Sequence, residues 1–199
     1  MDMCNCLKMQ LSRLRKFSVS LIVFAALSFC VQAETYTWIG ENPDENNWTN
    51  PQNWKTETEN PATSYPNTDS DTARFIFTTQ PVYNEIVINT PVTVKNIDVV
   101  TNYADAKSYP LILNLSDPTL SDTKLTINNS LNIGTGNDSN PGHLKITDGK
   151  ISLKVFDQCD NAENSLYLDN VELQIISEGT VYGNGTSGKI EINGSHVNH

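Results

Sequence analysis

The sequence predicts an all-β fold of the solenoid type, built from short strands stacked as rungs. Three observations carry this. Short apolar/polar alternations run through most of the chain, and no useful stretch of 3.6-residue period follows residue 33. Four near-repeats occupy the second half: LTINNSLNI from Leu125, LKITDGKISL from Leu144, LYLDNVELQI from Leu166 and IEINGSHV from Ile190, with starts 19, 22 and 24 residues apart. Each is a pair of strand-like runs joined by Asn, Asp, Gly or Ser, which suits a two-strand rung of about 20 to 25 residues. Finally, Asn (24) and Thr (20) are abundant. Asn tolerates left-handed backbone angles and bonds to its own turn, so the composition fits recurrent tight turns better than helices.

Residues 1–33 read as a secretory signal peptide. Lys8, Arg13, Arg15 and Lys16 give a basic start, Phe17 to Val31 is an apolar run of 15 residues, and Val31-Gln32-Ala33 places small residues at −3 and −1 of a cleavage site. The run is shorter than the roughly 20 residues a spanning helix needs. No other segment is apolar enough, so a mature chain cut near Ala33 is expected to have no transmembrane segment and to be secreted or held at a bacterial cell surface. Cleavage leaves 9 basic and 22 acidic residues, a net charge near −13. Such a surface repels phosphate backbones, which excludes nucleic acid as an expected partner. Cys4, Cys6 and Cys30 leave with the signal, and Cys159 alone cannot form an intrachain disulfide. Stability must therefore come from core burial.

Residues 34–80 form a Trp-rich N-terminal segment. Trp38, Trp48 and Trp54 all lie here, TYTWIG and ARFIF alternate like strands, and Pro43, Pro51, Pro61 and Pro66 mark loops between them. Residues 81–199 carry the strand repeats. Ile86, Ile88, Val92, Val94, Ile97 and Val99 keep mostly period-2 spacing, Leu111, Leu113 and Leu115 face one way, and the four near-repeats follow. GTGNDSNPG (134–142) and GNGTSG (183–188) read as insertions on one edge of the stack. One rung cannot bury its apolar side alone, and an open strand edge invites aggregation. The Trp-rich segment is thus expected to cap the N-terminal end.

That segment also has a recognisable layout: Thr37-Trp38-x-Gly40, Asn47-Trp48, Asn53-Trp54, Pro66 and Asp71-x-Ala73-x-Phe75. It resembles the start of bacterial surface proteins with autotransporter-like β-helical passengers. The later repeats look like the strand repeats of the same proteins. The resemblance covers nearly the whole mature chain and implies a right-handed parallel β-helix, here of five or six rungs. It implies adhesion, polysaccharide attachment or a stalk role, only sometimes an enzyme, with polysaccharide or surface proteins as partners.

Candidate chemistry is sparse. Trp48 and Trp54 lie among polar loop residues, which leaves two roles open: packing in the cap, or offering ring faces to a sugar. They are the candidate ligand-binding residues, and the second reading of the chain is a carbohydrate-binding module that uses them. Asp69 and Asp71, two apart, would share a side of an extended segment, and Asp157 and Asp160 flank Cys159. Neither pair matches a glycosidase or calcium-loop spacing. Arg74 is the lone arginine of the mature chain and is expected in an outward ion pair. His143, His196 and His199 are scattered without metal-ligand spacing. No catalytic, metal or cofactor site is expected, and a glycan-cleaving β-helix enzyme is the third reading. The leading expectation is a non-enzymatic surface solenoid serving adhesion or envelope scaffolding.

Overall fold

Strands form where the alternation places them, because each passage of chain turns one side toward a shared apolar interior. The computed structural model describes residues 33–40, 46–81, 83–103, 105–134, 141–158, 164–175, 181–183, 189–193 and 196–198. Residues 1–32, with Cys4, Cys6 and Cys30 and all of the expected signal peptide but Ala33, fall outside them. Twelve strands are present among the described residues: β1 (Thr35–Trp38), β2 (Trp54–Lys55), β3 (Thr72–Phe77), β4 (Glu85–Val87), β5 (Val92–Thr101), β6 (Leu111–Asn114), β7 (Thr123–Ile133), β8 (His143–Gln158), β9 (Ser165–Ile175), β10 (Val181–Gly183), β11 (Lys189–Asn193) and β12 (His196–Asn198). The one helical piece among them is a 3-10 turn at Pro51–Asn53. The fold is all-β, and no described helix is long and apolar enough to cross a membrane.

The pairings sort into three ladders. Ladder A joins β4, β6, the start of β8, the start of β9 and β11. Ladder B joins the first residues of β5 to Leu125–Ile127 of β7, Ile151–Leu153 of β8, the second half of β9, and β12. Ladder C joins β1, β3, the end of β5, the end of β7, the end of β8 and β10. All of these pairs are parallel. The exception is β2, which runs antiparallel to β1 with Trp38 opposite Trp54, so the sheet is mixed rather than purely parallel. Long strands pass from one ladder to the next through irregular register, between Val94 and Asn96 in β5 and between Ile127 and Ser130 in β7. An extra residue at such points bends the strand.

The side chains facing inward repeat from turn to turn. Ile86, Leu113, Ile146 and Leu168 form one column on ladder A. Val94, Ile127 and Leu153 form another on ladder B, and Phe75, Val99 and Ile133 a third on ladder C. All are buried and belong to one core cluster. Each fully buried aliphatic residue contributes roughly 1.5–3 kcal/mol relative to exposure, so the columns dominate stability. Between ladders A and B the chain bends through Asp148 (φ 54°) and Asn170 (φ 55°), equivalent positions on consecutive turns. Asp and Asn tolerate that left-handed angle. Asn170 Nδ2 also donates to Asp148 Oδ1 at 2.9 Å, tying the two bends together.

The repeat phase needs one correction. Leu144, Leu166 and Ile190 are register partners, as their 22- and 24-residue spacings predict. Leu125 is not: it pairs with Ile151 on ladder B, and the partner of Leu144 is Leu111. The turn containing Leu125 thus begins at Leu111. Residues 115–122 lie between its first two strands, so the visible alternation restarts half a turn late. Turn length, read along Ile86, Leu113, Ile146, Leu168 and Ile192, is 27, 33, 22 and 24 residues.

The N-terminal segment covers the leading edge of every ladder. On ladder A, Val87 N–H donates to the Asn46 carbonyl at 2.7 Å and Trp48 N–H to the Val87 carbonyl at 2.9 Å. On ladder B, Thr93 N–H donates to Asn67 Oδ1 at 3.2 Å, and Lys95 N–H to the Asp71 carbonyl at 2.7 Å. On ladder C, β2 pairs with β1. Residues 46–71 thus bond to the first strand of each ladder, at Val87, at Thr93 and at Thr37–Trp38, where an open edge would otherwise template pairing.

Candidate functional site

Trp48 and Trp54 do not form a platform. Both are 0% exposed. Trp54 sits edge-on to Trp38 and Trp48, with centroids 5.0 Å away in each case, and Phe75 packs 5.6 to 6.2 Å from all three indoles. Trp48 Nε1–H donates to the Pro66 carbonyl at 2.9 Å, and Trp54 Nε1–H to the Trp48 carbonyl at 2.7 Å. Polar neighbours in sequence suggested exposure, but those neighbours build the turns that bury the rings. Neither indole offers a face to a ligand.

The remaining positions of the N-terminal pattern are used in the same closure. Gly40 adopts φ +56°, and a Cβ there would lie 2.8 Å from Trp38 Nε1. Asn47 Oδ1 accepts from Thr49 N–H and hydroxyl at 3.1 and 3.0 Å, closing the turn before Trp48. Asn53 Nδ2 donates to the Asn47 carbonyl, and the Asn53 carbonyl accepts from Ile39 N–H. Asp71 Oδ2 accepts from the backbone N–H groups of Asn67 and Thr68 at 3.1 and 3.0 Å. Asp71 is therefore buried while Asp69 is exposed, and the pair does not share a side.

The other candidates separate likewise. Arg74 Nε faces Asp98 Oδ2 at 3.5 Å on the outside of ladder C, an outward ion pair. His143 is buried, with Nδ1 2.7 Å from Ser165 Oγ, and its N–H donates to Thr101 Oγ1 at 2.7 Å. Asp157 lies in β8 opposite Asn132, and His196 in β12. Cys159, Asp160 and His199 fall outside the described residues. No three His, Cys, Asp or Glu side chains among those described group closely enough to hold a metal ion.

Five connections in sequence lead from ladder C back to ladder A: residues 78–84, 102–110, 134–142, 159–164 and 184–188. Both predicted insertions belong to this set, though residues 135–140 and 184–188 lie outside those described. One of them is tied down from within. Buried Asn164 accepts from Gly142 N–H through Oδ1 and donates from Nδ2 to the Ile133 carbonyl, each at 2.8 Å, which clamps both ends of the 134–142 segment.

Two tyrosines stand out on these connections, Tyr83 at 36% and Tyr109 at 51% exposure. Each lies two residues before a ladder A strand, on consecutive turns. Comparison with protein-family models, curated proteins and solved structures gives no significant match. The geometry alone has to carry the reading. Period-2 reasoning missed these tyrosines because they sit outside the strands.

Proposed function

We propose that the chain is a secreted or cell-surface, non-enzymatic β-solenoid that serves adhesion or envelope scaffolding. In this reading the three ladders wind as a right-handed parallel β-helix of the autotransporter-passenger kind. The observation that carries it is the continuity of the inner columns. The same apolar position recurs from Ile86 through Leu168, with polar side chains paired across turns on the outside, as in Arg74–Asp98 and Asn132 Nδ2 to Asp98 Oδ1 at 2.7 Å. Such a stack is a spacer that presents one edge outward. The N-terminal pattern supports the family resemblance by serving as a cap, as a short passenger requires. The signal-like start and the acidic net charge of −10 support an extracellular location.

The test is adhesion by the exported protein. Beads coated with it are expected to attach saturably to surfaces bearing polysaccharide or matrix protein, leaving polysaccharide chain length unchanged. Mass spectrometry should place the mature N-terminus at Glu34. Shortened polymer, or export without adhesion to any coated surface, refutes the reading.

A further inference from the structure

We propose that Lys95 and Lys154, with Asn128 between them, form a contact site for a linear polysaccharide that carries a carboxylate on alternate sugars. This rests on the surface-adhesion reading and names its ligand class and residues.

The register places these side chains together. Val94, Ile127 and Leu153 are partners on three consecutive turns, and so are Asn96, Ser130 and Val155. Lys95 and Lys154 are the single residues between those partners on the first and third of these turns. Asn128–Asn129 fills the same place on the second. All four lie where the chain bends from ladder B to ladder C, and all four are exposed. Adjacent parallel strands are about 4.8 Å apart, so the two lysines are held about 10 Å apart along the stack.

The corner beneath them is fixed. Lys95 N–H donates to the Asp71 carbonyl at 2.7 Å. Asn96 Nδ2 donates to Thr72 Oγ1 at 3.2 Å, and Asn96 Oδ1 accepts from Asn129 Nδ2 at 2.8 Å and from Ser130 Oγ at 3.0 Å. These bonds tie the bend at Lys95 to the bend at Asn128. Beside them, Thr93, Thr126 and Ser152 are register partners on the outer side of ladder B, a row of hydroxyls parallel to the lysines.

The ligand class follows from charge. Arg74, Lys124, Lys145 and Lys150 each face a carboxylate at 3.0 to 3.9 Å. Lys95 and Lys154 face none among the described residues, in a chain of net charge −10. Two positioned cations without a counter-charge attract an anionic partner. Their separation is comparable to the length of one disaccharide, so alternate carboxylates meet successive lysines and the sugar between them meets Asn128. A densely charged polymer would press further anions against the acidic body, which repels them. A sparse one brings neutral sugars there, with hydroxyls to match those of Thr93 and Thr126.

The experiment measures binding of the exported protein to hyaluronan at low and physiological salt, with dextran as the neutral polymer and heparin as the dense polyanion. Lys95→Gln/Lys154→Gln is compared with Lys55→Gln/Lys107→Gln, which removes the same charge from exposed lysines elsewhere. The wild type should bind hyaluronan more tightly than either other polymer, and less tightly as salt rises. The Lys95/Lys154 pair should weaken binding by about tenfold, as two exposed charge contacts would, and the control pair by less than about twofold. Thermal midpoints should stay unchanged, because the lysines are exposed and unpaired. No hyaluronan bound, equal losses from the two pairs, or tighter binding of dextran or heparin overturns the proposal. Self-association abolished by Lys95→Gln/Lys154→Gln, with no polymer bound, overturns it in favour of a second copy as the occupant. Adhesion to matrix protein without hyaluronan binding would sink this site while leaving the adhesive surface reading standing.

Discussion

The N-terminal end and the body of the stack solve the same burial problem with different residues. From Tyr36 to Phe75 the interior is aromatic, irregular and pinned by indole-to-carbonyl hydrogen bonds. From Ile86 to Ile175 it is aliphatic and repetitive, each side chain covered by its equivalents on neighbouring turns. The body can use small branched residues because the next turn supplies the other half of every contact. Beside the first strands, residues 46–71 take the place of a further turn, and a few large rings fill the volume there. Repetition is thus a property of the middle, and the end must be specific.

Truncating one ring should show this most strongly. Trp54→Ala removes the ring that touches Tyr36, Trp38, Trp48 and Phe75, together with the hydrogen bond to the Trp48 carbonyl. The expected loss is about 3–5 kcal/mol, against about 2–5 for Leu113→Ala in the body. Urea unfolding followed by circular dichroism measures both. The cap variant should also aggregate more readily, because strand edges lose their cover. A smaller loss for Trp54→Ala than for Leu113→Ala would break the comparison.

A smaller perturbation probes crowding in each region. Alanine at Gly40 must hold a positive φ and place its Cβ against the Trp38 ring, while at Gly149 the Cβ would fall 2.5 Å from Leu115 Cβ on the preceding turn. Each should destabilise by about 1–3 kcal/mol. Gly149→Ala followed by Leu115→Gly, which removes the clashing Cβ, should recover part of its loss, since the clash is between neighbouring turns. Gly40→Ala should gain nothing from that second change.

The two regions should also fail at opposite ends of the pH scale. In the cap, burial first, then the nearby Glu34 and Asp71 carboxylates, push the Tyr36 hydroxyl from 10.0 up to about 12. A group with a raised folded pKa contributes fully below its unfolded value and loses that contribution as pH rises from 10 through 12. In the body, the Thr119 hydroxyl at 2.6 Å, then the Asp122 N–H and the Ser121 hydroxyl, hold the Asp117 carboxyl below the ordinary carboxylate range. Its contribution is complete above the usual value of 3.8 and is lost as pH falls below it. Tyr36→Phe should flatten the alkaline slope of the urea midpoint, and Asp117→Asn the acid slope. Swapped effects would contradict the assignment.

Legibility in the sequence follows the same division. Alternation announced the strands, and the Leu144, Leu166 and Ile190 phases came through because a 22- or 24-residue turn keeps both strands close together in sequence. Leu125 was misplaced because an eight-residue segment separates it from Leu111, and spacing alone does not show which half-turn a run belongs to. Trp48 and Trp54 were ambiguous for a related reason: their polar neighbours mark loops whether those loops face water or fold over the rings. The carbonyls of Trp48 and Pro66 that accept the indole donors carry no side-chain signature. Tyr83 and Tyr109 lie outside any periodic segment, so alternation says nothing of their exposure.

The weakest effect should come from the outer charges. Lys150 Nζ and Glu172 Oε2 lie 3.1 Å apart on register partners of β8 and β9, both partly exposed. Parallel neighbours hold them together without ordering either side chain deeply, so solvent screens the attraction. A double-mutant cycle with Lys150→Ala and Glu172→Ala should give a coupling of about 0.2–1 kcal/mol that shrinks with added salt. A coupling as large as the loss from truncating Leu113 would mean that outer charges, rather than inner columns, hold adjacent turns in register. The polar exterior would then be as specific as the cap.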